Sequence, residues 1–343
     1  MSASPIRVLV VDDSAFARKV VREVLSADRE IEVVGIARDG LDALEQITRL
    51  DPDVVTLDLL MPNLDGIGVL RALAGKGRPR VVVVSTSDEH SALAVEALQA
   101  GAIEVVHKPT ALATDRLYEL STELVQKVKV AARATARTMS GPPSARLAVA
   151  ASSTASVGIV VIGTSTGGPQ ALTHLLAELP ADLPVPVAVV VHMPPGYTAA
   201  LAERLDRSCA IHVVEAAHGL EFRPGVVMLA RAGMHLGVAG EERASRAHLD
   251  TAPLAKPHRP SVDVLFSTAA TVFGPRVLGV VLTGMGDDGL EGGRKIHAAG
   301  GRLLTEAESS CVVYGMPRTV SEAGLGAASW PLDEMAGAIL RSL

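Results

Sequence analysis

A chain of 343 residues is long enough for two domains, each with its own core. Apolar residues make up 48% of it but aromatic ones only 2%, so Val, Ala, Leu and Ile must fill the interior, a composition suited to buried parallel strands covered by Ala-rich helices. The formal charge of -6 is spread over both halves, with 15 basic and 20 acidic residues in 1–130 and 14 and 18 in 157–343, which leaves no basic stripe for nucleic acid. The only two cysteines, Cys209 and Cys311, exclude a disulfide framework or a Cys-rich zinc site and are expected as buried structural thiols.

The start, MSASPIRVLVVDDS, carries an acidic pair where a signal peptide would continue its apolar region, and no run approaches the roughly 18 apolar residues of a membrane helix. A cytoplasmic protein without membrane insertion is expected. From residue 1 to about 130, short Val-rich runs (Val8–Val11, Ile31–Ile36, Val54–Leu57, Val81–Val84, Glu104–Val106) alternate with helical patterns at Ala15–Ser26, Leu41–Leu50, Gly66–Leu73, Ser91–Ala100 and about Asp115–Lys129. Strict alternation implies a parallel sheet with helices on both faces. Residues 131–156, ARATARTMSGPPSARLAVAASSTAS and its Ala start, read as a flexible linker, with helix continuing into its beginning. Alternation resumes over 157–343, with strands at Gly158–Ile162, Val185–Val191, Ile211–Glu215, Val226–Ala230, Val277–Leu282 and Arg302–Leu304, and helices at Gln170–Glu178, Ala199–Leu205, Val262–Val272 and Gly289–Ala298. The fold class is therefore α/β, with two doubly wound parallel-sheet domains, the first flavodoxin-like and the second Rossmann-like.

In the first domain Asp12 and Asp13 follow one strand and Asp58 follows another. Ligands of open parallel sheets gather at the carboxyl ends of strands. Three carboxylates meeting there repel one another unless a cation joins them, and a hard, oxygen-seeking ion such as Mg²⁺ suits the donor set. Lys108 brings a second positive charge to the same edge, and Ser85 a hydroxyl. A carboxylate so placed can attack a phosphoryl donor and hold the product as an acyl phosphate. One such Asp alone would more simply be a helix cap; acidic, hydroxyl and Lys-Pro signals at successive strand ends are not explained that way.

The second domain opens on VGIVVIGTSTGGPQALTHLL, which reads strand, tight turn, helix, with Gly163-Thr164-Ser165-Thr166-Gly167 matching the G-x-S-x-G nucleophile turn. Such a turn presents a hydroxyl above the sheet, beside backbone N–H groups and the positive end of a helix. A serine there is equally well an N-cap, so the turn needs a base beside it. His192 supplies one at the end of the strand VPVAVVVH. Of the other histidines, His174 and His297 lie in helical patterns, His212 starts a strand, and His235, His248 and His258 sit in loop-like polar surroundings. No HExxH spacing occurs, which argues against a zinc hydrolase. Asp288, after VLGVVLTGMGD, is the candidate to hold the His192 tautomer, with Asp287 as the competing choice. The order Ser, His, Asp departs from the Ser, Asp, His of α/β-hydrolases. Gly284-Met285-Gly286-Asp287-Asp288-Gly289 also matches a dinucleotide fingerprint, with Glu306 in the place of its ribose-binding acid. Two carboxylates at that helix start would repel a pyrophosphate, so nucleotide binding is disfavoured.

VLVVDDSAFAR, VVTLDLLMPNLDG, VVVVSTS and EVVHKP resemble the receiver domain of response regulators over about residues 5–127. The resemblance implies Asp58 as phosphoacceptor, Asp12, Asp13 and the carbonyl of Leu60 as partners of Mg²⁺ with it, Lys108 at the phosphoryl group, and Ser85 as its sensor. IGTSTGGPQAL, VVVHMPPGYTAALAERL, HRPSVDVLF, VLTGMGDDG and CVVYGMPR resemble the chemotaxis-type protein-glutamate methylesterases, the CheB family, over 157–343. That implies Ser165 as nucleophile, His192 as base, Asp288 as its orienting acid, and Thr166 and Met285 lining the site, Met285 near the oxyanion. Thr164 and Asp287 stand where the family pattern has Ala and Asn, and ARAGMH replaces a turn richer in Gly and Pro. The expected activity is phosphorylation-activated hydrolysis of glutamate γ-methyl esters on chemoreceptors, with receptor glutamine deamidation as a second reaction and no cofactor for either. The expected partners are a histidine kinase as phosphodonor and methyl-accepting chemoreceptors as substrate. The alternatives are a methylesterase of a chemosensory-like pathway outside motility and a non-catalytic two-domain signalling protein; retention of all three of Ser165, His192 and Asp288 argues against the latter.

Overall fold

The computed structural model describes residues 4–77, 79–86, 91–108, 114–134, 156–252 and 258–343, without the side chains of 86 and 114–121. Most of the expected linker lies outside them. The chain divides into two compact units, 1–136 and 137–343.

The first unit alternates strictly: β1 (Ile6–Val11), α1 (Ala15–Ser26), β2 (Ile31–Ala37), α2 (Gly40–Leu50), β3 (Val54–Leu57), α3 (Gly66–Leu73), β4 (Arg80–Thr86), α4 (Ser91–Gln99), β5 (Glu104–Lys108) and α5 (Thr114–Arg133). The strands form one parallel sheet in the order β2-β1-β3-β4-β5, the flavodoxin-like order. Every residue of β3 is buried, whereas the edge strand β2 keeps Glu32 and Ile36 exposed, because only interior strands are covered on both faces. Side chains cap the helices at this edge: Ser14, Asp39 and Asp65 accept from Ala17, Asp42 and Gly68 N–H at the starts of α1, α2 and α3. As the sequence suggested, α5 continues past residue 130, to Arg133.

The second unit holds a seven-stranded parallel sheet in the order β14-β13-β12-β6-β7-β9-β8. Its strands are β6 (Ile159–Thr164), β7 (Val187–Val191), β8 (His212–Glu215), β9 (Val226–Leu229), β12 (Val277–Val281), β13 (Arg302–Glu306) and β14 (Ala328–Trp330). Helices α6 (Gly168–Ala177), α7 (Tyr197–Ser208), α8 (Val262–Phe273), α9 (Leu290–Ala298), α10 (Met316–Glu322) and α11 (Leu332–Ser342) accompany it. β10 (His235–Ala239) and β11 (Arg246–Asp250) form a separate antiparallel pair. β6, β7 and β12 are buried at every position, the mark of a sheet covered on both faces. Chain direction across the sheet reverses at β6, whose neighbours are β7 on one side and β12 on the other. A crevice at the carboxyl end of such a switch point is where ligands of open α/β sheets bind.

Three expectations need correction. The β10–β11 pair, β14, α10 and α11 were not foreseen. His235, expected in a polar loop, opens β10 and is 3% exposed. Cys209, expected buried, is half-buried, while Cys311 is buried, and burial pushes its thiol well above the usual range; neither is in a disulfide.

Candidate active site

Ser165, His192 and Asp288 come from the ends of the three central strands. Register pairs Thr164 of β6 with Val191 of β7, and the His192 N–H donates to the Thr164 carbonyl at 3.1 Å, so Ser165 and His192 leave the sheet at one level. On the other side the Ser165 N–H donates to the Thr283 carbonyl at 3.0 Å, tying the turn to the segment after β12. Ser165 is not the cap of α6. Gly167 is, with φ +78 and no side-chain bond, and a Cβ there would lie 2.7 Å from Val312. The half-buried Ser165 hydroxyl is thereby left to the crevice.

His192 Nε2 lies 2.9 Å from Asp288 Oδ2, while its Nδ1 is buried with no hydrogen-bond partner. Asp288 also accepts from Ser261 Oγ (3.0 Å), Val262 N–H (2.8 Å) and Asp263 N–H (3.0 Å). Burial opposes its ionisation, but the hydrogen bond and charge of His192, with the Asp263 and Val262 N–H groups, outweigh it and hold the carboxyl well below the usual carboxylate range. A carboxylate so saturated accepts the Nε2 proton, which fixes the tautomer with a bare lone pair on Nδ1. The same contacts explain why Asp288 is anchored: it serves the first N–H groups of α8, while Asp263 of α8 accepts from Gly289 and Gly292 N–H at the start of α9. Each helix start is capped by a carboxylate belonging to the other. The competing choice, Asp287, is exposed, and it is Asp288 that meets His192.

Thr166 and Met285 flank the serine turn. Thr166 is 5% exposed and its carbonyl accepts from Thr283 Oγ1; Met285 is 43% exposed at the rim. Among the described residues neither backbone N–H has a main-chain acceptor. Gly284 must be glycine, since a Cβ would sit 2.8 Å from Ser165 Cβ and 2.4 Å from Met316 Sδ.

Three residues at this site escaped sequence reasoning. Thr283 is 1% exposed; its carbonyl holds Ser165 N–H and Thr164 Oγ1, and its hydroxyl joins the Thr166 carbonyl to Val313 N–H. Its signal was a lone hydroxyl ending an apolar run. Glu306 is fully buried and accepts the Thr283 N–H at 2.8 Å, so the acid of the apparent dinucleotide fingerprint braces the turn that shapes the serine site. His258 stacks on His192 with ring centroids 4.3 Å apart and planes 13° from parallel.

The first unit gathers its groups at β1, β3, β4 and β5. Lys108 Nζ binds Asp58 Oδ2 at 2.8 Å and pairs with Asp12, while Asp58 Oδ1 accepts the Leu59 N–H at 2.8 Å and Asp12 Oδ1 the Ser14 N–H at 2.9 Å. Asp12, Asp58, Ser85 and Lys108 are buried and Asp13 is exposed. Burial raises the Asp12 carboxyl, and neighbouring Asp58 adds to this, against the lowering effect of Lys108. Asp12, Asp13 and Asp58 each offer an oxygen, all within 4.8 Å of one another, a hard-oxygen set that fits Mg²⁺, whose charge would offset the buried acidity. The Leu60 side chain is 47% exposed beside them. No helix among the described residues is long and apolar enough to cross a membrane.

A regulatory acid cluster on one parallel sheet and a serine–histidine–carboxylate constellation on a second define a receiver-linked hydrolase. The family profile "CheB methylesterase" matches residues 160–339, and "Response regulator receiver domain" matches 8–120. A Myxococcus xanthus protein-glutamate methylesterase/protein-glutamine glutaminase is 60% identical over 98% of both chains, and its Thermotoga maritima namesake is 39% identical over 94% of both. The solved Thermotoga maritima CheB methylesterase catalytic domain is similar with a TM-score of 0.53 and 38% identity, covering 55% of this chain and all of that one. The chain belongs to the CheB methylesterase family.

Proposed function

We infer that this chain is a phosphorylation-regulated protein-glutamate methylesterase that hydrolyses glutamate γ-methyl esters on chemoreceptors, and that the same site deamidates receptor glutamines. Residues 1–130 are the receiver, 131–156 the linker and 157–343 the catalytic domain. The observation that carries the active-site reading is the His192 ring, anchored through Nε2 to a fully saturated carboxylate while Nδ1 is buried without a partner. That leaves Nδ1 to take the Ser165 hydroxyl proton.

Ser165 Oγ attacks the ester carbonyl as Nδ1 of His192 accepts its proton, and Asp288 stabilises the resulting imidazolium through Nε2–H, a contribution of about 10²–10⁴ in rate for the base. The developing oxyanion lies toward the Thr166 N–H, just before α6, and the Met285 N–H in the segment after β12. The imidazolium protonates the departing methanol, leaving an acyl-enzyme on Ser165. Water, deprotonated by Nδ1, then releases the glutamate carboxylate. An amide substrate passes through the same acyl-enzyme and releases ammonia.

In the receiver Asp58 accepts the phosphoryl group from a histidine kinase. Asp12, Asp13, Asp58 and the Leu60 carbonyl would hold Mg²⁺, which neutralises charge on the transferring group. Lys108 contacts the acquired phosphoryl oxygens in place of its bond to Asp58, and Ser85 supplies the hydroxyl that senses them. Phosphorylation then shifts the population toward the active arrangement. The proposed location is the cytoplasm.

The test is methanol release from methylated receptor membranes, with and without a small-molecule phosphodonor and Mg²⁺. Wild type should accelerate with donor, Asp58→Asn should lose that acceleration, and Ser165→Ala should be inactive in both states. Activity indifferent to donor would remove the receiver as a regulator; an active Ser165→Ala would remove the nucleophile.

A further inference from the structure

We propose that His258 is a positioning residue for His192, holding the ring by a face-to-face stack so that Nδ1 stays aimed at the nucleophile. The proposal rests on the reading of His192 as the base.

A histidine anchored at one nitrogen is held at one point only. The Nε2–Asp288 bond fixes the far edge of the ring, yet the ring can still turn about its Cβ–Cγ bond, swinging Nδ1 away from the serine. Nδ1 itself has no partner to stop this. A flat group against the ring face removes that freedom, and the His258 imidazole lies there at 4.3 Å and 13°.

The segment carrying His258 is itself braced at the site. The Arg259 carbonyl accepts from Gly233 N–H at 3.2 Å, and Ser261 Oγ donates to Asp288 Oδ1 at 3.0 Å. One stretch, His258–Ser261, thus touches both the ring and the carboxylate that orients it. His258 is exposed although it stacks on His192, so core packing does not account for its place. The stack needs a flat ring rather than a titrating one; Phe should replace His258 and Ala should not.

The full-length protein would be assayed by methanol release from methylated receptor membranes, with phosphodonor and Mg²⁺, as wild type, His258→Ala, His258→Phe and Ser165→Ala. His258→Ala is expected to lower kcat roughly 3- to 10-fold with KM little changed, and His258→Phe to recover most of that loss. Unfolding midpoints matching wild type would show that both variants fold. A wild-type kcat in His258→Ala overturns the proposal, as does a His258→Phe as slow as His258→Ala. A raised KM with unchanged kcat also overturns it, by assigning His258 to substrate contact. An active Ser165→Ala would instead refute the active-site reading and the stack's role with it.

Discussion

The two sheets solve the problem of buried carboxylates at a strand edge in opposite ways. In the receiver, Asp12 and Asp58 share one cation, Lys108, and burial leaves Asp12 reluctant to ionise. In the catalytic unit, Asp288 stands among four donors and is held deeply ionised. The first arrangement is under-neutralised, which suits the cation and phosphoryl group proposed to arrive there. The second is saturated by four donors, which suits its proposed role of orienting a base. Helix starts follow the same division: Ser14, Asp39 and Asp65 cap the receiver helices, whereas Gly167, Gly196 and Gly289, all at positive φ, open α6, α7 and α9 after Ser165, His192 and Asp288. The cap residues of α6 and α7 make no side-chain bond to their helices, whereas the start of α9 is served from α8 by Asp263.

The sharpest way to break the comparison is Asp288→Asn. An amide cannot accept from all four donors and leaves the imidazolium without a counter-charge, so kcat for methanol release should fall about 10³- to 10⁴-fold. The same change uncaps α8 and should cost about 1–3 kcal/mol in denaturant unfolding. Next in size, Gly284→Ala pushes a methyl group against Ser165 and Met316; kcat should drop about 10- to 100-fold with a smaller change in KM.

Acid should separate the units. Asp288 is depressed below its usual value of 3.8, so its stabilising contribution is complete above that pH and is lost only as pH falls through the lower folded value. Asp12 is raised above 3.8, so its contribution is complete below that pH and is lost as pH rises through the folded value; at neutral pH it destabilises. Asp12→Asn should therefore raise the receiver's melting temperature at pH 7 by roughly 2–5 °C, and the gain should shrink toward pH 4. The Asp288→Asn penalty should be unchanged across that window. Equal pH dependence of the two variants would erase the contrast. The smallest effect is expected for Thr164→Ala, which restores the residue of the family pattern and removes the 2.7 Å bond to the Thr283 carbonyl; thermal melts should show a loss of about 1 kcal/mol.

Much of this was legible in the chain. β3, β6, β7 and β12 announce themselves as apolar runs because strands covered on both faces need no alternation. Asp58, Ser165 and Asp288 were singled out because ligands of open parallel sheets gather where such runs end. β14 was missed because a three-residue strand has no period, and β10–β11 because HLGVA and RAHLD alternate too weakly among polar neighbours. The nucleotide-like pattern of Gly284–Gly289 and Glu306 was already disfavoured in the sequence by its two carboxylates; what the fold adds is the partner of Glu306, which accepts the Thr283 N–H.

By itself, then, the sequence determined two α/β domains, the strand ends that carry chemistry, and the residue types placed there, because periodicity and turn chemistry are local. Tertiary structure alone brought Asp288 into contact with His192, assigned Nε2 rather than Nδ1 to the carboxylate, and set His258 against His192. Those outcomes depend on which distant segments share a strand edge, and no local pattern encodes distances across 26, 66 or 96 residues of chain.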